Sequence, residues 1–331
     1  MKAHRLAAGD PFWGCIREPR PTREEVLMRV ETVLCPIDFS SLSDRELQVA
    51  VEICQTFGAR LVLHHNLFSG TPGVARAWEW EKIHHALEIF ATEAERRLKT
   101  VMARLPSGIG VEAIVSRGPV GMVLLQLAEE LPADLMILAC HGQSAEDHAS
   151  TTERVIQDCS CPVLTLHEGK GETHPFRLQT NGTGPPARVV VPTDFSAAAE
   201  EAMTYAFSLS RRVPLDLHLV HVLAERKLLH SVPAHGPAGA HPGRETASEA
   251  ACRRLAALVP PELAATVHIH LVHGSAVDQI VSLAERLDAS FIVMGEHARS
   301  LFRRFFTRDT SRHLLHRASC AVWFIPPAMA A

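Results

Sequence analysis

Two aspartates of this sequence stand in nearly the same setting, 156 positions apart. Asp38 follows the run Val-Leu-Cys-Pro-Ile, Asp194 follows Val-Val-Val-Pro-Thr, and both precede Phe-Ser. A carboxylate placed directly after a short apolar run has two uses. It accepts hydrogen bonds from a ligand, or it caps the helix that follows. Both uses stay open from the residues alone.

The offset of 156 recurs elsewhere and indicates an internal repeat. Gly118 matches Gly274, and residues 133–139 match residues 289–295. Cys161 and Cys320, in the late pair Ser-Cys-Pro-Val and Ser-Cys-Ala-Val, are 159 residues apart, so the first copy is three residues shorter before its last segment. We infer two copies of one unit of about 140 residues, the usual size of a domain.

Each copy alternates short apolar runs with helical periodicity. The runs fit strands that are buried on both faces, as in a parallel sheet, and Gly58 is placed to end the first helix. This pattern predicts an α/β protein with two doubly wound, five-stranded parallel sheets in tandem, flavodoxin-like or Rossmann-like. The predicted strands are Thr32–Pro36, Arg60–His64, Val111–Val115, Leu135–Ala139 and Pro162–Leu166 in the first copy, and Arg188–Val191, Asp216–His221, Thr266–Val272, Phe291–Gly295 and Ala321–Ile325 in the second.

The repeat divides the chain into four parts. We expect an N-terminal extension over residues 1–28, a first unit over 29–167, a linker over 168–187 and a second unit over 188–327. The linker is assigned because it is rich in glycine and proline and has little apolar periodicity.

Composition narrows the class of protein. The 331 residues are 47% apolar and carry a formal net charge of -4, which gives no reason to expect a nucleic-acid or membrane partner. Eight cysteines without a Cys-x-x-Cys pair are typical of reduced thiols in a cytoplasmic protein.

Taken together, the motifs resemble those of the universal stress protein family. They are Pro-x-Asp-x-Ser after the first strand, Gly-x-Pro after the third, Met-Gly-x-His after the fourth and Cys-Pro-Val at the last strand, spread over both units. The resemblance implies pairing of the two units as a pseudo-dimer within the chain. It also implies ATP or AMP as the cofactor of those members that bind one.

The resemblance places a nucleotide site in each unit. Asp38 and Asp194 match the aspartate that contacts adenine or ribose, and Val222 belongs to the same expected set. Nucleotide-binding members then carry Gly-x-x-Gly, nine residues and Gly-Ser or Gly-Thr. These glycines let backbone N–H groups approach the phosphates at a helix N-terminus.

Both phosphate loops depart from that pattern. The second unit keeps Gly295 but has Ala298 and Arg308-Asp309 in place of the later glycines. The first unit has Ala139 for the first glycine, keeps Gly142, and has Ser150 where the serine is expected. The first unit is the better remaining candidate, although its loop is three residues shorter.

Cysteines and histidines suggest two further hypotheses. Cys35, His64, Cys140 and His141 fall near the carboxyl ends of three strands in the first unit, where thiolates and imidazoles could converge on a soft metal ion. Their spacing matches no standard zinc pattern, so packing and loop roles are the alternative. Cys159-Ser160-Cys161 fits either a redox-active pair or a packed strand start.

No set of catalytic residues emerges. We therefore expect a cytoplasmic stress-response or regulatory binding protein without turnover, whose partners are other proteins or further copies of itself. The first alternative is a protein that binds ATP or AMP, with weak hydrolysis at most, through the first unit. The second is a metal-binding sensor that uses the cysteine and histidine residues of the first unit.

Overall fold

The computed structural model describes residues 4–7, 30–67, 80–140, 146–167, 176–178, 184–223, 246–296 and 308–327. The elements of the first part are β1 (His4–Ala7), β2 (Thr32–Pro36), α1 (Ser41–Phe57), β3 (Arg60–Asn66), α2 (Trp80–Met102), β4 (Val111–Ser116), α3 (Val120–Glu130), β5 (Leu135–Cys140), α4 (Glu146–Asp158) and β6 (Val163–His167). Those of the second part are β7 (Ala187–Pro192), α5 (Ala197–Ser210), β8 (Leu215–Leu223), α6 (Ala247–Leu258), a 3₁₀ turn (Pro261–Leu263), β9 (Val267–His273), α7 (Ala276–Arg286), β10 (Phe291–Gly295), α8 (Arg308–Arg317) and β11 (Ala321–Ile325).

All these strands belong to one sheet, in the order β1-β4-β3-β2-β5-β6-β11-β10-β7-β8-β9. Within each unit the five parallel strands follow the order third, second, first, fourth, fifth. The tandem α/β prediction is confirmed, and of the two expected topologies this order is the Rossmann-like one.

The two units meet edge to edge. Strand β6 pairs antiparallel with β11, which makes the sheet continuous through both units. Above this seam Glu153 of α4 forms an ion pair with Arg312 of α8 at 3.0 Å and a hydrogen bond with His316 of α8 at 3.1 Å. The Nε2 atom of His167 lies 2.6 Å from the carbonyl oxygen of Leu315.

The sheet has an apolar layer on each face. Because side chains alternate along a strand, Val33 and Cys35 join one buried layer and Leu34 the other. Helix α1 covers the first layer and ends at Gly58, whose φ of 71° is in the left-handed region that glycine favours. The predicted end of this helix is confirmed. None of the described helices combines the length and the hydropathy of a membrane span.

Two segments outside the units contribute structure that the sequence did not predict. Residues His4–Ala7 of the expected extension form β1, which pairs antiparallel with the edge strand β4. Within the expected linker, Phe176 and Leu178 are buried in the same layer as Val33. The backbone N–H of Leu178 donates to Glu52 of α1. This part of the linker therefore packs against the sheet.

Candidate functional site

In each unit the strand order reverses between the first and fourth strands. These are β2 and β5 in the first unit, and β7 and β10 in the second. Ligands of open α/β sheets bind beyond the carboxyl ends of the strands at such a point. Asp38 and Asp194 lie two residues beyond the ends of β2 and β7, so both stand at the reversal points.

Both aspartates shape the turn from strand to helix. Asp38 Oδ1 accepts a hydrogen bond from the Ser40 N–H at 2.8 Å, and Asp194 Oδ1 accepts one from the Ser196 N–H at 2.9 Å. The helix N-caps are Ser40 and Ser196, whose hydroxyls accept from the N–H groups three residues on. The alternative in which the aspartates cap the helices is therefore wrong. They form Asx turns one step earlier.

Asp38 has a further hydrogen-bond partner, Ser43, that the sequence of the second unit does not provide. The hydroxyl of Ser43 donates to Asp38 Oδ1 at 2.6 Å and accepts from the Asp38 N–H at 3.0 Å. The residue at the matching position of the second unit is Ala199. Because alanine has no hydroxyl group, this particular contact cannot form in the second unit.

A stack of three side chains is repeated beside the aspartates. Phe39 has a φ of 63°, and its ring centroid lies 4.6 Å from that of His65. The Nδ1 atom of His65 is 2.8 Å from the Ile37 carbonyl oxygen, so this nitrogen carries the hydrogen of the neutral ring. The guanidinium of Arg97 lies over the Phe39 ring, 4.5 Å from its centroid.

The second unit builds the same stack. Phe195 has a φ of 61° and lies 4.5 Å from His221, whose Nδ1 atom is 2.8 Å from the Thr193 carbonyl oxygen. Arg254 covers Phe195 at 4.2 Å. The same unusual backbone conformation thus occurs twice and is supported by the same contacts. The repeat therefore extends to the side chains at the carboxyl ends of the strands where the strand order reverses, which we call the crevice of each unit.

A buried carboxyl group lies beneath the crevice of the first unit. Glu46 of α1 is 4% exposed, and burial raises its pKa from 4.5 to about 8. The nearby Ala139 N–H and Ser43 hydroxyl favour the charged form and oppose this rise, while the negative charge of Asp38 adds to it. Glu46 therefore stands directly against Ala139, at the position where the resemblance expects the first glycine of a phosphate loop.

The equivalent place in the second unit is filled by backbone. A Cβ atom on Gly295 would overlap the carbonyl group of Ala198 in the first turn of α5. Gly295 is therefore required for helix packing, whether or not a phosphate binds. The next residue, Glu296, is a 2% exposed acid whose N–H donates to the Ile325 carbonyl oxygen.

The remaining expected nucleotide residues are placed as follows. Val222 lies on β8, partly buried, and its register partner is Val272 on β9. Ser150 lies in α4, but its side chain is outside the described residues, and so is Gly142. Asp194 and Gly295 are brought to neighbouring strand ends, as Asp38 and Ala139 are.

The expected cysteine and histidine cluster is not assembled by the residues that are described. Cys35 packs in the layer of Val33, whereas His64 points to the opposite face and contacts the Ser116 hydroxyl at 2.6 Å. Cys140 lies on β5, two strands away from β3. His141 is outside the described residues. Because Cys35 and His64 lie on opposite faces of the sheet, the predicted metal site is not supported for these two residues.

Histidines gather instead on the outer strands of the second unit. His218 Nδ1 lies 3.0 Å from His270 Nε2, and His268 Nε2 lies 2.9 Å from Asp216 Oδ1. Burial lowers the pKa of both His218 and His270. Over the described ranges, no three histidine, cysteine or acidic side chains are arranged to hold a metal ion. Asp216 and His268 match Arg60 and Glu112 of the first unit, which form an ion pair at 3.5 Å.

Sequence reasoning missed Glu46. Its signal was nevertheless present, because Leu42, Glu46, Val49 and Ile53 fall on one helical stripe whose other members are apolar. An acid on the apolar stripe of a helix is a buried titratable group by position. The second unit has Ala202 at this point of its helix.

Comparisons with known proteins agree with this architecture. The model of the universal stress protein family matches residues 29–167 and again 186–326. A universal stress protein of Mycolicibacterium smegmatis is 23% identical over 306 residues, which is 89% of this chain and 97% of the relative. A universal stress protein of Methanocaldococcus jannaschii is 26% identical over 147 residues, covering 42% of this chain and 84% of the relative.

A solved structure shows the same fold. A universal stress protein of Archaeoglobus fulgidus superimposes with a TM-score of 0.59 at 18% identity, covering 91% of this chain and 98% of the other. The family model thus matches twice, in the two stretches that carry the repeated aspartate, stack and strand order. The chain belongs to the universal stress protein family and carries two of its domains in tandem.

Proposed function

We propose that this protein is a cytoplasmic regulatory binding protein of the universal stress type that performs no turnover. Its two domains pair within the chain through β6 and β11 as a pseudo-dimer, and its crevices no longer serve adenine nucleotides. Its output would come from contacts with other proteins or with further copies of the chain.

One observation carries the proposal: each crevice has a buried acid where a nucleotide phosphate would have to approach. In the first unit it is Glu46, which meets the Ala139 N–H. In the second unit it is Glu296, which directly follows Gly295. An ionised carboxylate repels a phosphate, and a carboxyl group that is protonated, as Glu46 is near pH 7, leaves a buried side chain beside the backbone that the phosphate would have to approach.

The small residues at these points support the same conclusion. A phosphate loop needs glycine so that backbone N–H groups can approach the anion. Ala139 places a methyl group there, and its N–H already donates to Glu46. Gly295 is explained by its contact with the Ala198 carbonyl group, so its presence is weak support for a phosphate site.

A second candidate function is nucleotide binding by the first unit. It is favoured by the position of Asp38, which Ser40 and Ser43 hold at the reversal point of the sheet. A carboxylate oriented in this way suits recognition of a ribose hydroxyl.

Calorimetric titration with ATP and with AMP, up to millimolar concentration, separates the two candidates. The full chain and its Asp38→Ala and Asp194→Ala variants are titrated in parallel, and phosphate release from ATP is measured in the same samples. We expect no saturable heat in any of the three and no phosphate release above background. Saturable binding that Asp38→Ala abolishes and Asp194→Ala retains would replace our proposal with the second candidate.

A further inference from the structure

Two thiols lie in contact at the turn between α4 and β6. The Sγ atoms of Cys159 and Cys161 are 3.5 Å apart, and each side chain is 5% exposed. Ser160 between them is exposed, so the turn itself faces solvent. A disulfide needs the two sulfur atoms to approach to about 2.05 Å, a movement of about 1.5 Å from this position.

The other buried thiols of the described chain are in a different electrostatic setting. Burial raises the pKa of Cys54, Cys140 and Cys320 to about 12. Burial likewise raises the pKa of Cys35 well above its usual value. These four thiols stay protonated near neutral pH and are therefore poor nucleophiles.

Cys159 departs from this pattern because of its neighbours. A hydrogen bond from the Cys161 thiol lowers the pKa of Cys159, and the N–H groups of Cys161 and Ser160 act in the same direction against the effect of burial. The pKa of Cys161 is raised, since it is the donor of that hydrogen bond and is itself buried. These directions favour Cys159 as the nucleophile and Cys161 as the thiol that stays protonated, and the 3.5 Å contact places the two sulfur atoms next to each other.

We propose that Cys159 and Cys161 form a thiol–disulfide redox site, which hydrogen peroxide oxidises to a reversible disulfide within the chain. The Cys159 thiolate attacks one peroxide oxygen, the O–O bond breaks, and the departing hydroxide combines with the proton that Cys159 released on ionising to leave as water. The sulfur of Cys161 then attacks the Cys159 sulfenic acid. The S–O bond breaks, and the hydroxyl group leaves with the Cys161 proton as a second water. Two thiols lose two hydrogen atoms, and one peroxide is reduced to two waters.

The second unit provides an internal control. The Cys159 N–H donates to the Val155 carbonyl oxygen at 2.8 Å, and the Ala318 N–H donates to that of Leu314 at 2.9 Å. The turns therefore have the same backbone hydrogen bond, but the second has Ala318 where the first has Cys159. Cys320 is consequently left without the partner that lies next to Cys161.

Peptide mass measurement on the native full chain tests the site. Trypsin releases Val155–Lys170, which contains both thiols and no internal lysine or arginine. After treatment with hydrogen peroxide and then iodoacetamide, we expect this peptide without alkyl groups and lighter by two hydrogen atoms. Dithiothreitol before alkylation should restore the doubly alkylated form. A peptide that stays doubly alkylated after excess peroxide, or that accumulates only as sulfonic acid, overturns the proposal.

Single variants test the assigned order of attack. Cys161→Ser should leave a Cys159 sulfenic acid that dimedone captures, whereas Cys159→Ser should give no adduct at Cys161. The reverse labelling would refute the assignment of Cys159 as nucleophile.

Ala318→Cys tests whether the turn geometry is sufficient. It should create a second oxidisable pair with Cys320, detected as the same loss of two hydrogen atoms from its peptide. If Ala318→Cys stays reduced under conditions that oxidise Cys159 and Cys161, the argument from geometry fails. The site does not depend on the function proposed for the crevices.

Discussion

Replacing Glu46 by glutamine should change how the stability of this protein depends on pH. The folded-state pKa of Glu46 is raised to about 8, above its unfolded value of 4.5. Between these values the folded chain binds a proton that the unfolded chain releases. The stability contributed by this proton is therefore fully present below pH 4.5 and is lost as the pH rises through 8.

The size of the effect follows from the two pKa values. Taking 1.36 kcal/mol for each pKa unit, Glu46 should lower the free energy of unfolding by about 3 kcal/mol between pH 5 and pH 8. Glu46→Gln keeps the shape of the side chain and removes the titration. The difference in free energy of unfolding between the variant and the wild type should thus grow by that amount over the same interval.

Urea denaturation followed by circular dichroism, at unit steps from pH 5 to pH 8, measures this difference. Other titrating groups act on both proteins and cancel in the comparison. The control is Glu88→Gln, which makes the same change of charge at an exposed position on α2. A constant difference between Glu46→Gln and wild type across this range would refute the assignment of a buried, proton-binding carboxyl group.

Three further predictions test the packing around the crevices and the seam. Gly295→Ala should lower the free energy of unfolding by about 3 kcal/mol or more, because the added methyl group meets the backbone of Ala198. The matched variant Ala139→Gly should lower it by about 1 kcal/mol. Equal losses of stability in chemical denaturation would contradict this prediction. Burial lowers the pKa of His64 to about 3 and that of His167 to about 4, so the unfolded chain binds more protons and stability falls as the pH drops below about 6.5. Replacing both by glutamine should remove about 4 kcal/mol of the loss between pH 7 and pH 5, and an unchanged loss in urea titrations would count against their burial as neutral rings. Ser196→Ala removes the N-cap of α5 and should lower the free energy of unfolding by about 1 kcal/mol. Thermal denaturation measures this loss beside a Ser196→Asn variant, whose side chain can still cap the helix. A melting temperature that is lowered equally in both variants would argue against capping.

Local pattern was sufficient for the elements and the repeat. The strands Thr32–Pro36, Phe291–Gly295 and Ala321–Ile325 have the predicted bounds, and Gly58 ends α1. Such features depend on residues that are neighbours in the chain, whose spacing and backbone preferences are visible in the sequence. The tandem α/β fold and the family follow from the same repeated motifs.

Contacts between distant segments were beyond that reasoning. The Rossmann-like strand order, the pairing of β6 with β11 and the edge strand β1 depend on which strands become neighbours in space. The pairing and register of strands that are more than a hundred residues apart in sequence depend on how both faces of the sheet pack. Local periodicity carries no information about this packing.

Contacts between distant segments also decide the chemistry of the crevices. From the sequence, Asp38 and Asp194 were placed correctly at the strand ends, but their Asx turns and the serine caps appear only in the folded chain. The sequence analysis did not single out Glu46, and it assigned Gly295 to a phosphate loop. Tertiary packing buries the first against Ala139 and requires the second beside α5, because the space at the end of a strand depends on the helix that crosses it.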